Sequence, residues 1–321
     1  MLQKAIAKAC ERGLVLLLPA GTYKVSGLRI DRPIVIRGLL GQARLVTTNH
    51  AGVFSVEAEN VTLDGISFQG STETSESDLA LVSAQNSERL RIENCAFSDF
   101  TGNGIRLTQC SGRIAHNEAS MLGRTGIFAL DSTGLEVVSN HVHDIGNNGI
   151  QIWTSDQRAD GTIVTGNRVE RIRFDAGGSG QNGNGIVVFR AGNVIVSNNR
   201  IGDCGYSAIR NNSGRNCQIV NNSCSRLSET AIYVEFAFDG AVVSGNLIET
   251  AATGISITNF NEGGRLAVCA NNVIRDITGV VRIQKSAASA PKPIRSSPAM
   301  RSRAHRILGS PRAGVPMRAT S

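Results

Sequence analysis

The chain has 321 residues, 41% of them hydrophobic and only 4% aromatic, with 35 glycines and a formal charge of +7. Nine of its 33 basic residues and none of its 26 acidic ones lie from Arg282 onward, so the body before that point is slightly acidic, which argues against a nucleic-acid role. No run of about 18 apolar residues is present, which excludes a membrane-spanning helix.

The first predicted element is a short amphipathic helix over 1–13. Leu2, Ile6 and Cys10 recur at helical spacing, and Gly13 can close its C-terminus. No signal peptide is read ahead of it. Strand-like segments follow: LVLLLPAGTYKV (14–25), less regular stretches over 28–68, and VTLDGISF (61–68), which enters a regular series. The polar STETSESD (71–78) reads as a loop.

From there two markers repeat. One is an asparagine at 94, 117, 140, 167, 199, 222, 246 and 272, with spacings of 23, 23, 27, 32, 23, 24 and 26. The other is a small residue before isoleucine, from Gly104-Ile105 through Gly126, Gly149, Gly185, Ala208 and Ala231 to Gly254-Ile255, with spacings of 22, 23, 36, 23, 23 and 23. Each unit, such as LEVVSNHVHDIGNNGIQIW (135–153), alternates apolar and polar residues between Asn/Gly turns, the pattern of half-buried strands. A unit of ~23 residues cannot close its own core and must stack on its neighbours. Asparagine at a fixed turn position can adopt left-handed geometry, and stacked copies can hydrogen-bond in a ladder. The period excludes helical repeats, and the leucine-rich pattern is absent. The predicted fold is all-β: a right-handed, single-stranded parallel β-helix over 14–279, capped by the N-terminal helix.

After Asn272 the repeat stops without a polar capping unit. The segment 280–321 is acid-free, rich in Arg, Ser, Ala and Pro, and expected to be disordered. A shifted reading frame is one origin for it; a basic tail that binds an anionic polymer or membrane is the other. The seven cysteines form no CxxC pair and fall mostly in apolar strands, so they read as small buried hydrophobes rather than as zinc ligands or a disulfide framework.

The LPAGTY opening, VTLDGISF and the NxI…GI units resemble the pectin-lyase-like β-helix superfamily. More closely, they are similar to a family of repeat proteins exported by the twin-arginine route in alphaproteobacteria. The resemblance spans residues 2–279 and implies a periplasmic or secreted protein. The signal that the family carries ahead of the helix is not in this chain, consistent with a start inside a longer reading frame. No catalytic residue is carried over from the family.

Chemistry is sought on the Gly-Ile strands, because sugar polymers usually lie along one sheet of enzymes with this fold. If the isoleucines point inward, one outward column runs Arg106, Phe128, Gln151, Val187, Arg210, Tyr233 and Ser256. The neighbouring column runs Thr108, Leu130, Trp153, Phe189, Asn212, Glu235 and Thr258. The repeat also lengthens on either side of the Trp153 and Phe189 strands, in TSDQRADG (154–161) and FDAGGSGQNGN (174–184). Both read as loops flanking the same stretch of sheet, and insertions of this kind tend to mark a binding face. Arg210, Tyr233 and Glu235 are therefore the candidate catalytic residues, with Arg neutralising a uronate carboxylate while a base takes the C5 proton. Arg106, Gln151, Trp153, Phe189, Arg190 and Asn212 are the candidate substrate-binding residues. A purely structural Arg210–Glu235 pair is the competing reading.

Known signatures are incomplete. The acid pairs and the Gly-His-Gly and Arg-x-Lys of polygalacturonases are missing, as are the clustered aspartates that would hold Ca²⁺ in pectate lyases, so no cofactor or metal is assigned. NHVHD (140–144) lacks the proline and first aspartate of the Asp-Pro-His-Asp motif of alginate epimerases, and His143 reads as an ordinary surface histidine. Glu235 with Asp239, or Asp131 with Asp156, could form a carboxylate pair for glycoside hydrolysis. The expectation is a cell-envelope or secreted β-helix protein acting on polysaccharide as a lyase, epimerase or hydrolase. The alternative is a non-catalytic repeat protein that binds a glycan or a partner along the sheet.

Overall fold

The computed structural model describes residues 1–39, 41–47, 51–71 and 79–281. The backbone winds as a parallel solenoid of about 11 turns, with ~23-residue rungs. A strand pairs in parallel with its counterpart one turn on rather than with its chain neighbour, so every full turn adds one strand to each of three sheets. The Gly-Ile sheet contains Asn103–Thr108, Thr125–Leu130, the start of Asn148–Ala159, Asn184–Gly192, Ile209–Asn212 and the end of Ser223–Glu235. A second sheet runs through Leu90–Glu93, Gly112–Ala115 and Glu136–Val138. A third runs through Ala96–Phe100, Glu118–Leu122, His141–Ile145 and Arg168–Ile172.

Alternation at period two puts like on like inside the stack. Ile105, Ile127, Ile150, Ile186, Ile209 and Ile232 form one unbroken column at 0% exposure. β-branched side chains suit such a surface because they pack against same-face neighbours of identical shape. Near the start, Phe68 and Phe97 stack with centroids 4.9 Å apart. The small residue before each isoleucine marks a close approach of successive turns. A Cβ on Gly149 would lie 2.5 Å from the Gly185 carbonyl oxygen.

The corner between the second and third sheets carries the asparagine ladder. The backbone N–H of each asparagine donates to the side-chain oxygen of the next: Asn117 to Asn140, 140 to 167, 167 to 199, 199 to 222, 222 to 246 and 246 to 272, at 2.9–3.0 Å. The structure corrects two details of the sequence reading. Left-handed geometry belongs to the residue before each ladder asparagine: His116, Ser139, Gly166, Asn198, Asn221, Gly245 and Asn271 have φ of 55–69°. Asn94 is itself such a residue (φ 53°), and the ladder position in that turn is held by Cys95, whose N–H donates to Asn117 Oδ1 at 3.0 Å.

The helix spans Leu2–Arg12 and ends on Gly13 at φ 60°. It buries Ile6 and Ala9 against the first turns. Gln3 satisfies the edge strand Leu28–Ile30 from both sides, donating to the Arg29 carbonyl and accepting from its N–H, each at 2.9 Å. At the far end of the described stack Leu266, Val268, Val273, Ile274 and Ile277 are exposed. Cys95, Cys110, Cys204, Cys217 and Cys224 are buried free thiols, and no disulfide occurs among the described residues. The predicted loop at 71–78 lies outside the described residues from 72 onward, and the predicted tail at 280–321 lies outside them from 282 onward.

Candidate functional site

Both predicted columns form. Arg106, Phe128, Gln151, Val187, Arg210, Tyr233 and Ser256 are register partners turn after turn, as are Thr108, Leu130, Trp153, Phe189, Asn212, Glu235 and Thr258. The half-buried Trp153 bridges Phe128 and Phe189, at centroid separations of 5.3 and 5.4 Å. Two guanidiniums cover the ends of this aromatic row: Arg106 lies 5.5 Å from the Phe128 centroid and Arg190 lies 4.8 Å from that of Phe189. Such contacts hold a cation over the ring face. Gln151 is buried beside Trp153 and accepts a hydrogen bond from Thr125 Oγ1 at 2.7 Å. A depression of about 190 Å³ opens where Phe128, Gln151 and Trp153 meet Arg124, Asn148 and Asn182.

The two insertions border the sheet on opposite sides. Residues 174–184 lie at its entry edge and are tied to it: the carbonyls of Gly178, Gly180 and Gln181 accept from Tyr206 Oη, Arg210 Nη1 and Asn148 Nδ2 at 2.9–3.0 Å. Phe174 packs edge-on against Tyr206, 5.3 Å between centroids. The other insertion is not a loop as the sequence suggested. The strand Asn148–Ala159 runs on through it, and its register shifts between Trp153 and Arg158 to absorb the extra residues. Gln157 then reaches across two later turns, donating to the Ser213 and Ala237 carbonyls at 2.9 and 3.0 Å. Ser155 donates to Asp131, and Arg158 pairs with that carboxylate at 3.2 Å; together they outweigh its desolvation and hold Asp131 below the usual carboxylate range. A second, shorter polar ladder backs the entry edge. Asn103, Asn148 and Asn184 accept, through their side-chain oxygens, the N–H groups of Thr125, Asn184 and Ser207 at 3.0–3.2 Å.

The charged cluster is more enclosed than an outward column suggests. Glu235 is 1% exposed and receives Arg210 Nε and Nη2 at 2.6 and 2.9 Å. Asn212 Nδ2 adds a third donor to it at 3.2 Å. Arg210 therefore forms the structural pair with Glu235, and its guanidinium also lies 4.9 Å from the Tyr233 ring centroid. Its Nη1 reaches Glu229 at 3.3 Å. Glu229 is the residue that sequence reasoning missed. Its one legible signal is a carboxylate two residues before the Ala231-Ile232 marker. Desolvation raises the Glu229 pKa, Arg210 and a hydrogen bond from Ser207 oppose the rise, and the net shift is upward. Burial, then the nearby Glu235 and Glu229, raise that of Tyr233.

Three of the four carboxylates in the predicted hydrolytic pairs are engaged by other side chains. Glu235 is held by Arg210, whereas Asp239 lies between Arg215 and Arg265 at 3.7 and 3.1 Å. Asp131 is bound by Ser155 and Arg158, and Asp156 is exposed. His143 is not the plain surface histidine expected. Its side chain is 15% exposed and lies on the third sheet, in contact with Asp144, Glu118 and Arg171.

Among curated proteins none matches the chain in sequence. The family described as right-handed β-helix region matches residues 37–169 and 158–290. Among solved structures, the A-module of mannuronan C-5 epimerase AlgE4 from Azotobacter vinelandii is similar at 15% identity and a TM-score of 0.64, covering 86% of this chain and 90% of that one. The enzymatically active domain of tailspike protein 2 of bacteriophage CBA120 is similar at 12% identity and 0.59, covering 84% of this chain and 43% of that one. The periplasmic alginate epimerase AlgG is similar at 14% identity and 0.54, covering 82% and 77%. At these identities the likeness establishes a shared fold.

Proposed function

The chain belongs to the right-handed β-helix family, and from that premise we propose that it binds an extended polysaccharide along its Gly-Ile sheet. One observation carries this reading: Phe128, Trp153 and Phe189 form a continuous aromatic floor over three adjacent turns, between two insertions fastened to the scaffold. Sugar rings offer apolar C–H faces to such a floor, and aromatics supply contact area with little conformational entropy to lose. Arg106, Gln151, Arg190 and Asn212 border it and supply donors for hydroxyl or carboxylate groups. Neighbours in fold that are named as a mannuronan C-5 epimerase, an alginate epimerase and an enzymatically active tailspike domain support a glycan as the ligand class.

A catalytic reading is favoured by the Arg210, Tyr233 and Glu229 cluster beside that floor. In it, Tyr233 and Glu229 exchange protons with the sugar, Arg210 offsets carboxylate charge, and Glu235 positions Arg210 rather than acting as the base. The resemblance to twin-arginine-exported proteins and the periplasmic neighbour support a periplasmic or secreted location. Among the described residues no helix is long and apolar enough to cross a membrane.

An oligosaccharide panel containing neutral and uronate polymers tests both readings. Binding that weakens in Trp153→Ala supports the groove. Product formation lost in Tyr233→Phe, with binding kept, adds catalysis; the absence of any bound or altered glycan refutes both.

A further inference from the structure

A separate group of side chains stands on the third sheet. Strand His141–Ile145 places His141 and His143 two residues apart with buried Val142 between them, so both imidazoles stand on the outer face. The flanking turns supply Glu118, in register with His141, and Glu170, in register with His143. The two rings are 4.2 Å apart between centroids. His143 Nε2 is 3.2 Å from Glu118 Oε1, and His141 Nε2 is 3.2 Å from Glu170 Oε1. One nitrogen of each histidine and one Glu118 oxygen all lie within 4.8 Å of one another. Two imidazole nitrogens and a carboxylate oxygen converging at this span form a donor set for a first-row divalent ion such as Zn²⁺.

The surroundings of the histidines point the same way. His143 Nδ1 lies 2.6 Å from Asp144 Oδ2. A carboxylate that accepts the N–H of one ring nitrogen fixes the tautomer and turns the other nitrogen toward a metal. Arg171 holds Asp144 in place, donating from Nε and Nη2 at 2.8 and 2.9 Å. That Nη2 also lies 3.0 Å from His143 Nδ1, but the guanidinium is matched by Asp144 and by Glu170. Glu118 is 58% exposed and has room to close on an ion.

We infer that Glu118, His141 and His143 form a Zn²⁺ site, oriented by Asp144 and lying on a different face from the aromatic groove. Calorimetric titration of the full chain with Zn²⁺ alone, after treatment with a chelator, tests this. The expected result is one saturable equivalent, weakened at least ~100-fold in His141→Ala/His143→Ala and about 10- to 100-fold in Asp144→Asn. It should be unchanged in Cys269→Ser, which removes an exposed thiol that could bind the ion instead. None of these side chains belongs to the apolar core, and matching circular dichroism spectra establish that the variants fold. No saturable equivalent in the parent chain, binding that survives loss of both histidines, or binding lost only in Cys269→Ser overturns the inference.

Discussion

Arg210 grips Glu235 from the next turn with two nitrogens, at 2.6 and 2.9 Å, and buries that carboxylate almost completely. The same guanidinium lies over Tyr233 and holds the Gly180 carbonyl of the 174–184 insertion at 2.9 Å. One side chain thus connects two turns of the sheet to the loop at its edge. The site is held together in the same way as the fold: each turn is satisfied by the next.

Removing one half of this pair leaves a buried charge without its partner. Arg210→Ala is expected to destabilise the protein by about 3–5 kcal/mol, whereas the double change Arg210→Met/Glu235→Leu stays close to the parent. Urea unfolding midpoints check this. Equal losses in the single and double variants would show that the pair contributes packing rather than charge compensation.

Glu229 should make stability depend on pH. Its carboxyl is pushed up from the ordinary value of 4.5 by burial, so the fold favours the protonated form. That contribution is complete below pH 4.5 and is lost as pH rises through the elevated value. Glu229→Gln stays neutral throughout. Its melting temperature should therefore match the parent at acid pH and exceed it increasingly toward neutrality. Parallel curves would remove Glu229 as the source.

Two buried asparagines should respond in opposite ways. Asn167 accepts from both the backbone and the side chain of Asn140 and donates to the Val137 carbonyl at 2.9 Å. Asn167→Ala orphans these groups and should cost about 2–4 kcal/mol. Asn211 sits in an inward column between Val188 and Val234, fully buried, with neither side-chain polar atom hydrogen-bonded. Asn211→Val removes a buried polar group of similar size and should stabilise by about 1–3 kcal/mol. Unfolding midpoints that move the same way in both variants would contradict this assignment.

The fold was legible because a solenoid turns local chemistry into a period. The asparagine and Gly-Ile markers recur at nearly one spacing, and a period-two strand then dictates which side chains share a column. That reasoning placed Trp153 over Phe189 and Arg210 beside Tyr233 correctly. It named the Arg210–Glu235 pair as one reading but could not tell that this carboxylate, although on an outward column, is almost completely buried and takes a third donor from Asn212. It also placed Asn94 on the ladder, because an asparagine at the left-handed residue and one at the ladder position differ by a single step. His141 and His143 form a visible pair in the sequence. Asp144 adjoins them in the chain, but Glu118 and Glu170 lie more than 20 residues away and become neighbours only through the register of the third sheet.

The aromatic floor is the centre of the functional account, and Trp153 is its middle member. The most direct measurement is calorimetric affinity for an oligosaccharide identified from the panel, in the parent and in Trp153→Ala, alongside the unfolding midpoint of each. The expected outcome is a loss of about 2 kcal/mol in binding, roughly thirty-fold in Kd, with the fold retained. A folded Trp153→Ala variant that binds as tightly as the parent would contradict the account.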